Sequence, residues 1–237
     1  MQNGTEPPAA GRGISILTIE GGIGVGKSTA IAALKKQRPD LVFVDEPVDL
    51  WEKHGLLGAM YSGELSRGVF QHMAIMTLAA PIMKAIRSGA TAIVTERSPW
   101  SNLKVFAHAN LPEGSWDRVA YELTFSTLME ALEPNLSLHL VYLAAPVATL
   151  QTRVARRGRA SEETAEEVSA IPNEYMRKLD ALHEKLWDEA SVPLYRTKTR
   201  IDASQSPFHV ADELCSTVTR LIGEEWGAQG AKRAREE

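Results

Sequence analysis

A run of nine residues, Gly21-Gly22-Ile23-Gly24-Val25-Gly26-Lys27-Ser28-Thr29, has the spacing G-x-x-x-x-G-K-S and directly follows the apolar, β-branched segment 14–19. Glycines at these intervals let the backbone turn tightly enough for successive N–H groups to face one phosphate. Lys27 then reaches the β and γ phosphates, and Ser28 offers its hydroxyl to Mg²⁺. A helix beginning at Lys27 adds its positive N-terminal end to the same anion. The spacing predicts a P-loop that takes ATP together with Mg²⁺.

Further chemistry stands at the ends of the apolar runs that follow. The run 41–44 leads into Asp45-Glu46-Pro47, and the run 91–95 ends in Glu96-Arg97-Ser98. Ligands of open parallel sheets bind outside the carboxyl ends of the strands, so these acids and the base are expected to face the P-loop. Glu96 there suits the Mg²⁺ shell, and Arg97 suits charge neutralisation on a transferring phosphoryl group. The alternative for Glu46 and Arg97 is a structural ion pair. A third cluster, Arg153 to Glu163, places Arg153 and Arg157 on one helical face, and Gly158 lets the chain turn and aim Arg159 separately. Paired guanidinium donors bind phosphate oxygens well, so the cluster reads as an Arg-rich lid closing over the triphosphate. A solvated helix face, with Arg156 and Glu163 at the surface, is the other reading.

These groups need a scaffold that brings strand ends together. Short apolar runs at 14–19, 41–44, 91–95 and 138–143, with a weaker fifth at 194–197 or 201–202, alternate with helical patterns. The helical patterns lie near 65–87, 115–132, 146–157, 162–190 and 207–224. That alternation predicts an α/β P-loop NTPase fold, with a five-stranded parallel sheet flanked by helices. Residues 14–226 are expected to form one domain, between a flexible tail at 1–13 and a flexible charged tail at 227–237.

Among the 237 residues, 44% are apolar and 24% charged, and no apolar run approaches the roughly 20 residues that span a bilayer. A net charge of -4 argues against a nucleic-acid partner, whose footprint would be basic. The lone Cys215 cannot form an internal disulfide, and the first dozen residues lack a signal-peptide h-region. A cytoplasmic location is expected, with Lys232-Arg233-Ala234-Arg235 as a short basic run of the kind that can also serve nuclear targeting.

Together the P-loop, Glu46-Pro47-Val48 with Trp51, Leu57 to Tyr61, Phe70-Gln71, Glu96-Arg97-Ser98, the Arg lid, and Glu174 to Leu179 with His183 and Trp187 resemble the deoxyribonucleoside kinase family. The resemblance covers about residues 14–205. It implies transfer of the ATP γ-phosphate to the 5′-hydroxyl of a deoxynucleoside in nucleotide salvage, with Glu46 as general base and Arg97 beside the same hydroxyl. Lys27, Arg157 and Arg159 would act on the phosphoryl group. Tyr61 and Glu162 resemble the pair that grips the sugar 3′-hydroxyl, Gln71 the amide that binds a base edge, Phe106 the ring that stacks on the base, and Trp51 a pocket wall.

Relatives that favour deoxycytidine or purines carry an Arg and an Asp where this chain has Leu78 and Asn102. The resemblance therefore implies thymidine as the favoured substrate and deoxycytidine as the second. Asn102 would narrow the pocket or add a hydrogen bond to the base. Kinship also implies a homodimer, with Met73, Met76, Leu123 and Leu128 as candidates for the contact. A thymidylate-kinase-type enzyme would show Arg-Glu-Pro-Gly-Gly and Asp-Arg-Tyr, and a switch GTPase, the nearest regulatory nucleotide-binding module, would show Asn-Lys-x-Asp. None of these occurs in the sequence.

Overall fold

The computed structural model describes residues 13–132, 136–157, 171–189 and 195–233. Five strands, β1 (Ile14–Glu20), β2 (Val42–Val44), β3 (Ala92–Glu96), β4 (Leu136–Ala144) and β5 (Tyr195–Asp202), form one parallel sheet in the order β2-β3-β1-β4-β5. Every residue of β1 and β3 is buried, which is why these two read as continuous apolar runs. β5 lies at an edge and is mostly half-exposed or exposed. Its sequence mixes Arg, Lys and Thr with few apolar residues, and the strand Tyr195–Asp202 takes in both 195–197 and 201–202, the places between which the sequence left the fifth strand open.

The helices are α1 (Lys27–Gln37), α2 (Val48–Lys53), α3 (Leu56–Ser62), α4 (Arg67–Arg87), α5 (Pro99–Ser101), α6 (His108–Asn110), α7 (Trp116–Glu130), α8 (Val147–Arg157), α9 (Asn173–Asp188) and α10 (Pro207–Arg233). A π-helical segment, Asn102–Ala107, joins α5 to α6. Ser66 and Ser115 cap α4 and α7, each accepting a hydrogen bond from the backbone N–H three residues on. The helix α10 continues through Arg233, past Gly227, where a tail is expected. The intervening Ala, Gln, Lys and Arg are good helix formers, and they carry the helix on. The segments 1–12, 133–135, 158–170, 190–194 and 234–237 lie outside the described residues, and with them the part of the expected Arg lid that follows Arg157.

Strand alternation splits the core into two layers. Leu17, Ile19, Val94 and Val141 pack with Ile31 and Leu34 of α1 and Leu214 and Val218 of α10. Ile16, Ile93 and Leu138 pack on the opposite face with Ile82 and Trp100. Each fully buried aliphatic side chain contributes roughly 1.5 to 3 kcal/mol, so these layers fix the strand ends relative to one another. The helix α4 is long and apolar enough by composition to cross a membrane, but Phe70, Ala74, Ile75, Ala79 and Ile82 are buried against the protein.

Candidate active site

The order β2-β3-β1-β4-β5 places the chain reversal at β1, and the loop after β1 is the glycine-rich segment. A side chain at Gly21 would stand 2.4 Å from the Leu143 carbonyl oxygen, so only glycine fits. Gly26 adopts φ 105° at the start of α1 and offers no side-chain cap, and the first turn holds no acid. The first N–H groups of the helix are therefore left for an anion. Lys27 is buried, with Nζ 3.5 Å from the Gly21 carbonyl oxygen. Burial, followed by the nearby Arg97, lowers its pKa to about 8, while Glu96, Glu46 and Glu20 act in the opposite sense. Ser28 donates to Glu96 across 2.8 Å, so the hydroxyl and carboxylate chosen from the sequence as a Mg²⁺ pair stand side by side.

Arg97 is the centre of the site. It has φ 64°, the one positive φ outside glycine among the described residues, a strain of the sort that surrounding contacts must hold. Its Nε donates to Glu46 Oε1 at 2.8 Å and its Nη1 to the Gly21 carbonyl at 3.1 Å. Glu20 Oε2 lies 4.0 Å from Nη1, and the Phe106 ring lies beneath the guanidinium at 4.4 Å. Glu46 and Arg97 thus form the ion pair of the alternative reading, and both also line the cavity.

The cavity encloses about 560 Å³, within the range of small-molecule sites. Ile23 to Thr29, Glu46, Glu96, Arg97 and Arg153 form one side. Trp51, Leu57, Met60, Tyr61, Phe70, Gln71 and Ala74 come from α2, α3 and α4. Asn102, Phe106 and Asn110 come from the π segment and α6, and Tyr175 from α9. Ala203, Gln205, Pro207 and Val210 reach the cavity from the turn after β5 and from α10. Arg153 donates to the Val25 carbonyl at 3.0 Å, which ties α8 to the P-loop. Trp51 donates from its indole to Thr77 and packs edge-on against Phe70. The Phe106 ring is backed edge-on by His183, whose Nδ1 donates to the Leu179 carbonyl and whose pKa burial pushes down to about 3.

Leu78 corrects an expectation, because it is fully buried and does not line the cavity; Gln71 and Ala74 are the deepest α4 residues that do. Its hydrocarbon serves the interior, so it cannot shape the base pocket directly. Arg159 and Glu162 lie outside the described residues, and of Arg157 only the backbone is described. Of the candidates for a dimer contact, Met73 and Leu128 pack against buried clusters, whereas Met76 and Leu123 are exposed.

Three residues join the site without having been singled out from the sequence. Glu20 is fully buried at the end of β1, accepts from Ser98 at 2.8 Å, and is pushed by burial up to about 7. An acid closing an otherwise apolar strand is a signal that could have found it. Asn110 donates to the Tyr175 hydroxyl at 2.9 Å. The Tyr121 hydroxyl donates to Asn102 Oδ1, and nothing in the α7 sequence marks that tyrosine.

Fold and site together define an α/β P-loop NTPase fold whose glycine-rich loop shares one cavity with aromatic and amide side chains. The family model for deoxynucleoside kinases matches residues 17–224. The chain belongs to the deoxynucleoside kinase family. It is 27% identical over 213 residues to the thymidine kinase of Ictalurid herpesvirus 1, covering 86% of each chain. It is 29% identical over 157 residues to the deoxyadenosine/deoxycytidine kinase of Bacillus subtilis, covering 62% of this chain and 68% of that one. The solved structure of a deoxyadenosine kinase from M. mycoides with bound dATP shares the fold with a TM-score of 0.68 at 20% identity, covering 86% of this chain and 99% of that one.

Proposed function

We propose that the protein transfers the γ-phosphate of ATP to the 5′-hydroxyl of a deoxynucleoside, with thymidine preferred and deoxycytidine second. The observation that carries this reading is the Glu46–Arg97 pair, held 2.8 Å apart in the wall of a cavity that also contains the P-loop. Arg97 binds Oε1 of Glu46, which leaves Oε2 to take the proton of an incoming hydroxyl as general base. The charge on Arg97 then faces the phosphoryl group as it moves. Lys27 and the α1 N-terminus hold the triphosphate, and Arg153 stands at the rim beside Val25.

Ser28 and Glu96 fit the modest protein share of a Mg²⁺ shell, since Mg²⁺ commonly takes one or two protein oxygens together with phosphate oxygens and water. Bound there, the ion would neutralise charge between the β and γ phosphates. On the acceptor side, Trp51, Phe106 and Gln71 would enclose the base and Tyr61 would meet the sugar. The base preference rests on Asn102, an uncharged group at the position where relatives with other preferences carry an acid.

Incubation with thymidine or deoxycytidine and ATP-Mg²⁺ is expected to yield the 5′-monophosphate. Turnover confined to nucleoside monophosphates would refute the reading. Glu46→Gln is expected to lower kcat by about 10²- to 10⁴-fold while leaving ATP affinity unchanged, and an unaltered kcat would remove Glu46 from proton transfer.

We also propose a homodimer. Val69 and Met76 on α4, with Trp116, Val119 and Leu123 on the adjoining α7, are exposed and apolar, a face suited to a second copy of the chain. Sedimentation should give twice the 26.0 kDa chain mass, and Leu123→Glu should return it to one. A native protein that sediments as a single chain would refute the dimer.

A further inference from the structure

We propose that Tyr121 is a positioning residue that locks the Asn102 amide with its NH₂ toward the cavity, so that the site selects bases carrying a keto group over those carrying an amino group in its place. The inference rests on the deoxynucleoside reading of the cavity. Tyr121 is fully buried, and its hydroxyl donates to Asn102 Oδ1. Burial also raises its phenol well above the ordinary value, so the proton stays on the oxygen. If the amide were turned over, the hydroxyl would accept from Nδ2 and its own proton would lose its acceptor in a place water does not reach. That cost amounts to roughly tenfold or more in population.

Asn102 lines the cavity, and among the described residues its Nδ2 has no partner. It is therefore a fixed donor. Gln71 is different. It is 2% exposed and lines the same cavity, but its Oε1 is buried without a hydrogen-bond partner among the described residues, so no hydrogen bond to that oxygen fixes which way its amide faces. Gln71 can adapt to a base edge that offers either a donor or an acceptor, whereas Asn102 asks for an acceptor. A thymine or hypoxanthine edge presents a carbonyl oxygen beside a ring N–H, which suits the Asn102 donor and the Gln71 acceptor together. A cytosine or adenine edge presents an amino group beside a ring nitrogen, and its N–H would meet the N–H of Asn102. The mismatch is expected to cost on the order of 10- to 100-fold.

The test uses pairs that differ only at this edge, deoxyuridine against deoxycytidine and deoxyinosine against deoxyadenosine, with kcat/KM measured at saturating ATP-Mg²⁺. The wild-type protein is expected to favour the keto member of each pair it accepts by about 10-fold or more. Tyr121→Phe releases the amide, and the ratio should fall toward unity. Asn102→Asp places one carboxylate oxygen on Tyr121 and the other toward the base, and the preference should reverse. A purely structural role for Tyr121 would lower both members of a pair in parallel and leave the ratio alone, which overturns the proposal. So does a wild-type preference for the amino member. If Tyr121→Phe does not fold, Asn102→Asp decides, and an unmoved ratio in that variant overturns the proposal. A protein that phosphorylates none of the four nucleosides refutes the functional reading itself, whereas activity with an unmoved ratio refutes this inference alone.

Discussion

The P-loop side of the cavity comes from one contiguous loop and the ends of neighbouring strands, whereas most of the remaining wall, where the proposed function seats the base, is assembled from α2, α3, α4, the helical stretch 99–110 and α9. On the first wall, position is set by backbone dihedrals and by a sheet buried on both faces, so its donors are rigid and general. On the second, position is set by side-chain contacts such as Trp51 to Thr77 and Tyr121 to Asn102. One substitution in such a contact can change what is recognised without disturbing the phosphate side. This division suits a family in which the names of two relatives, a thymidine kinase and a deoxyadenosine/deoxycytidine kinase, differ in the base.

The contrast is sharpest in its consequences for activity. Lys27→Ala removes a buried cation from the phosphate side and should lower kcat by about 10³-fold, to the same extent with thymidine and deoxycytidine. Gln71→Leu removes a base-facing amide and should raise the nucleoside KM by about 10-fold with the ATP KM unmoved. Steady-state kinetics on both substrates check the pair. A Lys27 effect that depended on the base, or a Gln71 effect that fell equally on ATP, would break the division of labour.

Glu20 lies beside Arg97 and Ser98 without lining the cavity, and its expected effect is one on stability. Burial holds its carboxyl up at about 7, against an ordinary 4.5, despite the opposing pull of Arg97. Between those two values the folded chain keeps a proton that the unfolded chain has released. Stability from this group is therefore fully present below pH 4.5 and is lost as pH rises to about 7, by about 3 kcal/mol in all. Glu20→Gln should remove that contribution, read as the difference in stability between wild type and variant by urea unfolding at pH 5 and pH 8, because His183, pushed down to about 3, contributes with the opposite sign in both proteins. A difference of the opposite sign would mean that Arg97 outweighs burial and that Glu20 is charged throughout.

Much of the scaffold was legible because buried parallel strands are rich in aliphatic residues on both faces, and β1 and β3 are, with Ser15, Thr18 and Thr95 as small polar exceptions ahead of their terminal acids. The edge strand β5 was not, since half of it faces outward and its composition resembles a loop. The short helices α2, α3, α5 and α6 were equally hidden, because a turn or two offers too few residues for a period to emerge. At the site, Glu46, Arg97, Gln71, Phe106, Trp51 and Tyr61 meet in one cavity as expected, while Leu78 sits in the interior. Leu78 and Ala74 share a helical face, and spacing alone does not say where along that face a cavity stops.

From the sequence alone came the phosphate loop, the acids and base at the strand ends, and the parallel α/β plan. Each depends on contacts between near neighbours or on a repeating burial pattern, and such rules can be read along a chain. Only the tertiary structure decided that Glu46 and Arg97 are both paired and cavity-facing, that one carboxylate oxygen of the buried Glu20 is left without a hydrogen bond beside them, and that Tyr121 holds Asn102 from nineteen residues away. Those outcomes depend on which helices cross and how closely, and distance through space leaves no periodic trace in the order of the residues.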